Sequence, residues 1–188
     1  KSITSMEVAG FPVETTMGIS VAAFFEGSEF TPAGTVQCNN NILDMNPNNS
    51  YTFVPGVTDP TGIDFSGGVN WSVSGGNGFS NFSENVTAIA FPTLGAVTSG
   101  ETVSLGGYTL STDNVSGADS VLFIVGDVTK TLGGNATSCT FSADELSNLS
   151  AGAGVVQVAA YTYYSNNIGG KEIYFGNEAV QSKIVNYE

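Results

Sequence analysis

The sequence predicts an all-β chain folded as two tandem antiparallel β-sandwiches, and three observations carry that expectation. Apolar residues recur at a period of two along most of the chain, while the 3.6-residue period of an amphipathic helix is almost absent. Clusters of Gly, Asn, Pro and Asp (NNNILDMNPNNS, DPTG, SGGNG, NNIGG) interrupt those runs with residues that supply the positive or preset φ of tight turns. Only 11% of the 188 residues are charged, against roughly 25% in an average soluble domain. Gly, Ser, Thr and Asn fill the difference, and an apolar content of 41% suffices for a packed core.

In the first half, strands are expected near residues 3–10, 18–26, 34–43, 50–55, 69–74 and 84–91. GISVAAFFEG places Ile19, Val21, Ala23 and Phe25 on one face. GVNWSVSG turns Val69, Trp71 and Val73 inward and Asn70, Ser72 and Ser74 outward. ENVTAIAF puts Val86, Ala88 and Ala90 on one side, yet Ile89 and Phe91 make its other side apolar too. The pattern then breaks at AFPTLGAVTSGE, where Pro92 and Gly95 mark a boundary between an N-terminal sandwich, residues 1–93, and a C-terminal one, residues 94–188.

The second half reads as strands at 101–106, 107–113, 120–127, 128–132, 137–142, 154–164, 171–176 and 179–187. Its one helical signal is SADELSNL, in which Ser142 and Glu145 have capping-box spacing ahead of the helix-breaking SAGAG. One short turn of helix is expected there. Seven to eight short strands in a half-chain of this length match an immunoglobulin-like sandwich. A single jelly roll formed by the whole chain is the alternative.

ELSNLSAGAGVVQVAAYTYY resembles the crossover and following strand of immunoglobulin-like and fibronectin type III-like modules, where a leucine and a glycine precede an alternating strand. The resemblance covers about residues 95–188. Two features of those modules are missing: Val155 or Val156 stands where a corner tyrosine is expected, and no Cys–Trp–Cys arrangement exists. In composition and tandem layout the chain is similar to secreted or lipid-anchored surface proteins of Bacteroidetes-type bacteria. The tripeptide DSV at Asp119–Val121 resembles an O-glycosylation signal of those organisms. Together these resemblances imply a secreted or cell-surface location.

Charge and cysteine usage exclude several functions. Four lysines (Lys1, Lys130, Lys171, Lys183), no Arg and no His leave a net charge of −13, so no cationic stripe can meet phosphates or an anionic membrane. No apolar run is long enough to span a bilayer as a helix. The chain starts at Lys1 without a Met and reads as a mature or trimmed product. Cys38 and Cys139 fall in different halves and are expected to be reduced and buried rather than bridged. No cofactor is expected.

STDNVSGADS, residues 111–120, raises the question of a calcium loop, but a loop starting at Asp113 would place Val115, Gly117 and Ile124 at ligand positions. It reads as a turn, as does DPTGID with Asp59 and Asp64; the expected linker carries only Glu101. No metal site is expected. Without histidine, Ser-His-Asp and Cys-His catalysis have no base. Glycoside hydrolysis needs only two carboxylates, but Glu26, Glu84, Glu101, Glu172 and Glu178 mostly sit at strand ends. Seven N-x-S/T sequons, at Asn48, Asn70, Asn81, Asn85, Asn114, Asn135 and Asn148, carry little information in so Asn-rich a chain.

The best binding signal is AAYTYYSNNIGGKEIYFG, read as a hairpin with a polar loop at SNNIGG. Tyr161 and Tyr163 share one face, Tyr164 takes the other, and Tyr174 returns on the next strand. Exposed tyrosines suit sugar stacking or a protein interface. The expected function is therefore non-catalytic binding, adhesion or spacing at a surface, with a glycan or surface protein as partner and the chain monomeric or weakly oligomeric. A fimbrial, self-assembling subunit is one alternative, and a carboxylate-pair glycosidase is another.

Overall fold

The computed structural model describes residues 1–8, 11–94, 97, 99–112, 115 and 117–188. The chain is all-β, with one short helix at Ala143–Leu146. Among the described residues no helix is long and apolar enough to cross a membrane. The backbone gathers into two compact units: Lys1–Thr16, Ile89–Tyr163 and Gly176–Glu188 form the first, Met17–Ala88 and Tyr164–Phe175 the second. This division differs from the expected halves, 1–93 and 94–188, in residues 1–16 and 164–175 and lies at 88/89 rather than 93/94. The expected linker is described only in part, since residues 95, 96 and 98 lie outside the described set.

The main sheet takes the order Val128–Gly133, Ser120–Val125, Gly152–Ile168, Lys171–Tyr187, Ser2–Val8, Phe11–Met17, and Thr102–Val103 also pairs with Lys171–Tyr187; all of it but residues 17 and 164–175 belongs to the first unit. The Ser120–Val125 strand shows why the alternation matters. Val121, Phe123 and Val125 are fully buried while the residues between them are partly exposed, one face against the core as period two requires. Gly107–Ser111 pairs with Ser138–Ser142 in a separate two-stranded sheet that adds Leu110, Cys139 and Phe141 to the same core. Ser2–Val8 runs parallel to the C-terminal strand, Ser2 opposite Val180 and Ser5 opposite Lys183. Phe11–Met17, absent from the expected strands, lies at the sheet edge, where the missing N–H of Pro12 is tolerated. Among the described residues of 1–16 none belongs to the hydrophobic core cluster.

The second unit holds two small sheets, Phe82–Val86, Val69–Val73, Val36–Cys38, Asn41–Ile42 in one and Ser20–Ala22, Tyr51–Phe53, Asp44–Met45 in the other, plus a Phe25–Glu26/Glu29–Phe30 ladder. Val69 and Val73 are buried and Trp71 packs beside them, as expected. Ile19, Val21 and Phe25 do share a face, but it is the exposed one, at 41%, 61% and 55%. The core takes the opposite face instead: Ser20 and Phe24 are buried and Ala22 packs beside them, in unbroken alternation with the exposed positions. In ENVTAIAF, Val86 and Ala88 pack on the core of the second unit and Ile89 and Phe91 on that of the first. The doubly apolar pattern thus marks a passage from one core to the other. Cys38 and Cys139 are both free and buried, and burial raises both thiols' pKa values.

The capping box forms as expected. Ser142 Oγ accepts from the Glu145 N–H at 3.3 Å, and Glu145 Oε2 accepts from the Ser142 N–H at 2.8 Å. Lys130 Nζ donates to Glu145 Oε2 at 2.7 Å. That ammonium, followed by the Ser142 amide, holds the Glu145 carboxyl down to about 2. A depressed carboxylate pKa contributes stability that is present above the unfolded value of roughly 4.3 and lost as pH falls through the folded value. An NMR titration of Glu145 is expected to show a midpoint near 2, rising toward the ordinary carboxylate range in Lys130→Ala. A midpoint near the ordinary value in the wild-type chain would rule the bridge out.

Candidate functional site

Gly152–Ile168 and Lys171–Tyr187 are the two arms of one long hairpin. The expected loop at 165–170 shrinks to Gly169 and Gly170, with φ of 59° and 82°. Positive φ at both central residues is the requirement of the two-residue turn that matches strand twist. The turn sets the register: counting outward from it brings Tyr161 opposite Glu178, Tyr163 opposite Gly176 and Tyr164 opposite Phe175. The strands expected at 171–176 and 179–187 accordingly merge into one, Lys171–Tyr187, which runs on through Gly176 and Asn177.

In the first unit, Tyr161 and Tyr163 stand side by side, their rings parallel within 5° and their centroids 6.2 Å apart. Tyr163 is 65% exposed and its ring passes within ordinary contact distance of the side-chain position that Gly176 leaves empty. A Cβ at 176 would pack against that ring at 3.7 Å, an ordinary contact. Tyr161 donates its hydroxyl hydrogen to Glu178 Oε1 at 2.6 Å. Burial, then the Glu178 carboxylate, pushes the Tyr161 phenol well above its usual range, so the ring stays neutral and a donor at any physiological pH.

Asp119 completes this corner. The neighbouring strand starts at Ser120, opposite Tyr161, so the Tyr163 N–H lies beyond the end of the ladder. The Asp119 carboxylate accepts that N–H at 2.7 Å, and the Asp119 N–H returns to the Tyr161 carbonyl at 2.7 Å. Asp119 therefore ends a strand, as expected for the STDNVSGADS turn; Asp113 and Asn114 of that stretch lie outside the described residues. The roles of Asp119 and Glu178 at the tyrosines were not anticipated. Glu178 was recoverable from the Gly-Gly turn and its register, whereas Asp119 depends on a neighbouring strand that sequence order does not reveal.

Tyr164 and Tyr174 belong to the second unit. Tyr164 is 43% exposed, leans on Phe175 with centroids 5.8 Å apart and donates to Glu84 at 3.1 Å. Asn166 Nδ2 also donates to Glu84, and Phe175 meets Phe82 edge-on at 6.2 Å. Lys171 pairs with Glu26 at 2.6 Å and covers the Phe79 ring at 4.6 Å. Tyr164 is thus one fastener holding the hairpin tip within its unit. Tyr174 is 77% exposed. Among the described residues no three His, Cys, Asp or Glu side chains converge on a point that would hold a metal ion.

No protein-family model, curated protein or solved structure matches the chain.

Proposed function

We propose that the chain is a non-catalytic binding protein, secreted or displayed at a cell surface, and that Tyr161 and Tyr163 are its contact platform for carbohydrate. The observation that carries this reading is the parallel, 6.2 Å tyrosine pair with one ring 65% exposed. Two parallel, stacked phenols held by a strand lose little side-chain entropy on binding and offer an apolar ring face to the C–H face of a sugar. Glu178 and Asp119 border them with carboxylates that accept from sugar hydroxyls. The lack of any Arg or His, and a net charge of −13, favour a neutral glycan over an acidic one. The immunoglobulin-like modules of Bacteroidetes-type surface proteins remain the architecture we infer, supported by the two cores, the antiparallel hairpins and the short helix before the long strand.

The two alternatives have weaker support. A self-assembling subunit needs a groove beside an open strand to receive a neighbour's strand; the place along Val180–Lys183 is already taken by Ser2–Val8, which leaves Phe11–Met17 as the edge on that side. A retaining or inverting glycosidase needs two carboxylates facing across a cleft, whereas Glu26 is paired with Lys171, Glu84 with Tyr164 and Asn166, and Glu178 with Tyr161.

A glycan array with the purified chain tests the reading. At least one neutral glycan is expected to bind, with Tyr163→Ala weakening it about tenfold or more, the loss of roughly 1.4 kcal/mol or above that marks an interface anchor. The melting temperature of that variant should hold, since Tyr163 is mostly exposed. Tyr164→Ala should instead lower the melting temperature and leave binding intact. A blank array, or a Tyr163→Ala chain that binds every glycan as before, would overturn the proposal.

A further inference from the structure

The second unit carries an open cleft of about 740 Å³, within the roughly 300–1,000 Å³ of small-molecule sites. Its lining contains no aromatic ring and no cation. Asparagines dominate it, and they fall into two groups by what their amides already do.

Asn39 builds the wall. Its backbone is left-handed at φ 47°, which asparagine tolerates better than most residues. Its Nδ2 donates to the carbonyls of Asp64 and Gly68 at 2.7 and 3.0 Å, and its Oδ1 accepts the Asn70 N–H at 2.7 Å. One side chain therefore ties three segments together. Asp64 stiffens the next stretch by accepting both the N–H and the hydroxyl of Ser66, at 2.8 and 2.9 Å.

Asn70 and Asn85 face each other across an antiparallel pair, and Asn70 Nδ2 donates to Asn85 Oδ1 at 2.8 Å. That single bond leaves the carbonyl oxygen of Asn70 and the amide nitrogen of Asn85 without partners among the described residues, one acceptor beside one donor. The exposed Asn40 side chain likewise has no partner among them.

We infer that this cleft is a second binding site, separate from the tyrosine platform, for a neutral sugar. Each hydroxyl of a sugar both donates and accepts, so two adjacent hydroxyls complement an amide oxygen and an amide nitrogen held side by side. Asp64 in the lining and the absence of a cation disfavour phosphates and acidic sugars. The lack of an aromatic wall disfavours flat aromatic ligands. Because the walls are tied before any ligand arrives, binding need not spend free energy on ordering them.

The test is an NMR titration of the ¹⁵N-labelled full chain with maltotriose, cellotriose, xylotriose and mannotriose, using digalacturonate and a short neutral peptide as controls. Saturable shifts of the Asn40 and Asn85 side-chain amides are expected with at least one trisaccharide and with neither control. Asn85→Ala, an exposed position, should weaken that binding about tenfold. Asn40→Gly should weaken it too while keeping the left-handed backbone at φ 64°. Tyr163→Ala should leave these shifts unchanged, which separates this site from the platform whatever the array shows. Absence of saturable shifts with all four trisaccharides would overturn the inference. So would equal shifts with digalacturonate or the peptide, or shifts that disappear in Tyr163→Ala.

Discussion

Tyr187→Ala is expected to destabilise the first unit by about 3–5 kcal/mol, the cost of emptying a large aromatic from a core. Tyr187 is 7% exposed and belongs to that unit's main cluster of buried residues. Its ring lies against Gly154 so closely that a side chain there would sit 2.2 Å from it. The hydroxyl donates to the Val155 carbonyl at 2.6 Å and accepts the Val155 N–H at 3.0 Å. Tyr187→Phe keeps the ring and removes both bonds, leaving the Val155 groups to compensate, so a smaller loss of about 1–3 kcal/mol is expected. Urea unfolding followed by tryptophan-independent far-UV circular dichroism would read both, at unchanged m-value. A phenylalanine variant as stable as the wild type would show that the hydroxyl is dispensable.

Tyr51→Ala should have a comparable effect on the second unit, about 3–5 kcal/mol. Tyr51 is 2% exposed and meets Phe24 edge-on with centroids 6.1 Å apart. Its strand is the middle one of three, between Ser20–Ala22 and Asp44–Met45. The phenol accepts the N–H of fully buried Ala33 at 3.0 Å and donates to the Gly34 carbonyl at 2.9 Å. Those bonds hold a turn in which Gly34 has a φ of 82°. Tyr51→Phe strands a buried N–H, costing about 1–3 kcal/mol. Fluorescence of Trp71, which packs on the same core, reports this unit directly. An unchanged unfolding midpoint for Tyr51→Ala would contradict the packing described.

Much of this fold was legible from local pattern. The alternation in Ser120–Val125 and Val69–Val73 and the capping box at Ser142 and Glu145 are short-range signals that the fold follows, whereas the expected loop SNNIGG narrows to the turn at Gly169–Gly170. The tyrosine pair was legible for the same reason: residues two apart on a strand share a face. The Val155 backbone, by contrast, is bonded by Tyr187 from 32 positions away. Nothing near Val155 in sequence announces that contact.

Period two states that residues share a face but not which face is covered. Ile19, Val21 and Phe25 alternate as well as any core strand, and they are exposed because the core takes the other face, Ser20, Ala22 and Phe24. Nor does alternation name a strand's partner. Backbone N–H and C=O groups are alike in every residue, so nothing in Ser2–Val8 identifies Val180–Lys183 as its parallel neighbour. Strand identity, turn positions and the facing of the tyrosines follow from short-range sterics and hydrogen bonding written into adjacent residues. Which strands meet, which apolar face is buried, and how Asp119 and Glu178 come to border Tyr161 and Tyr163 depend on contacts across many residues, and only the folded chain brings those together.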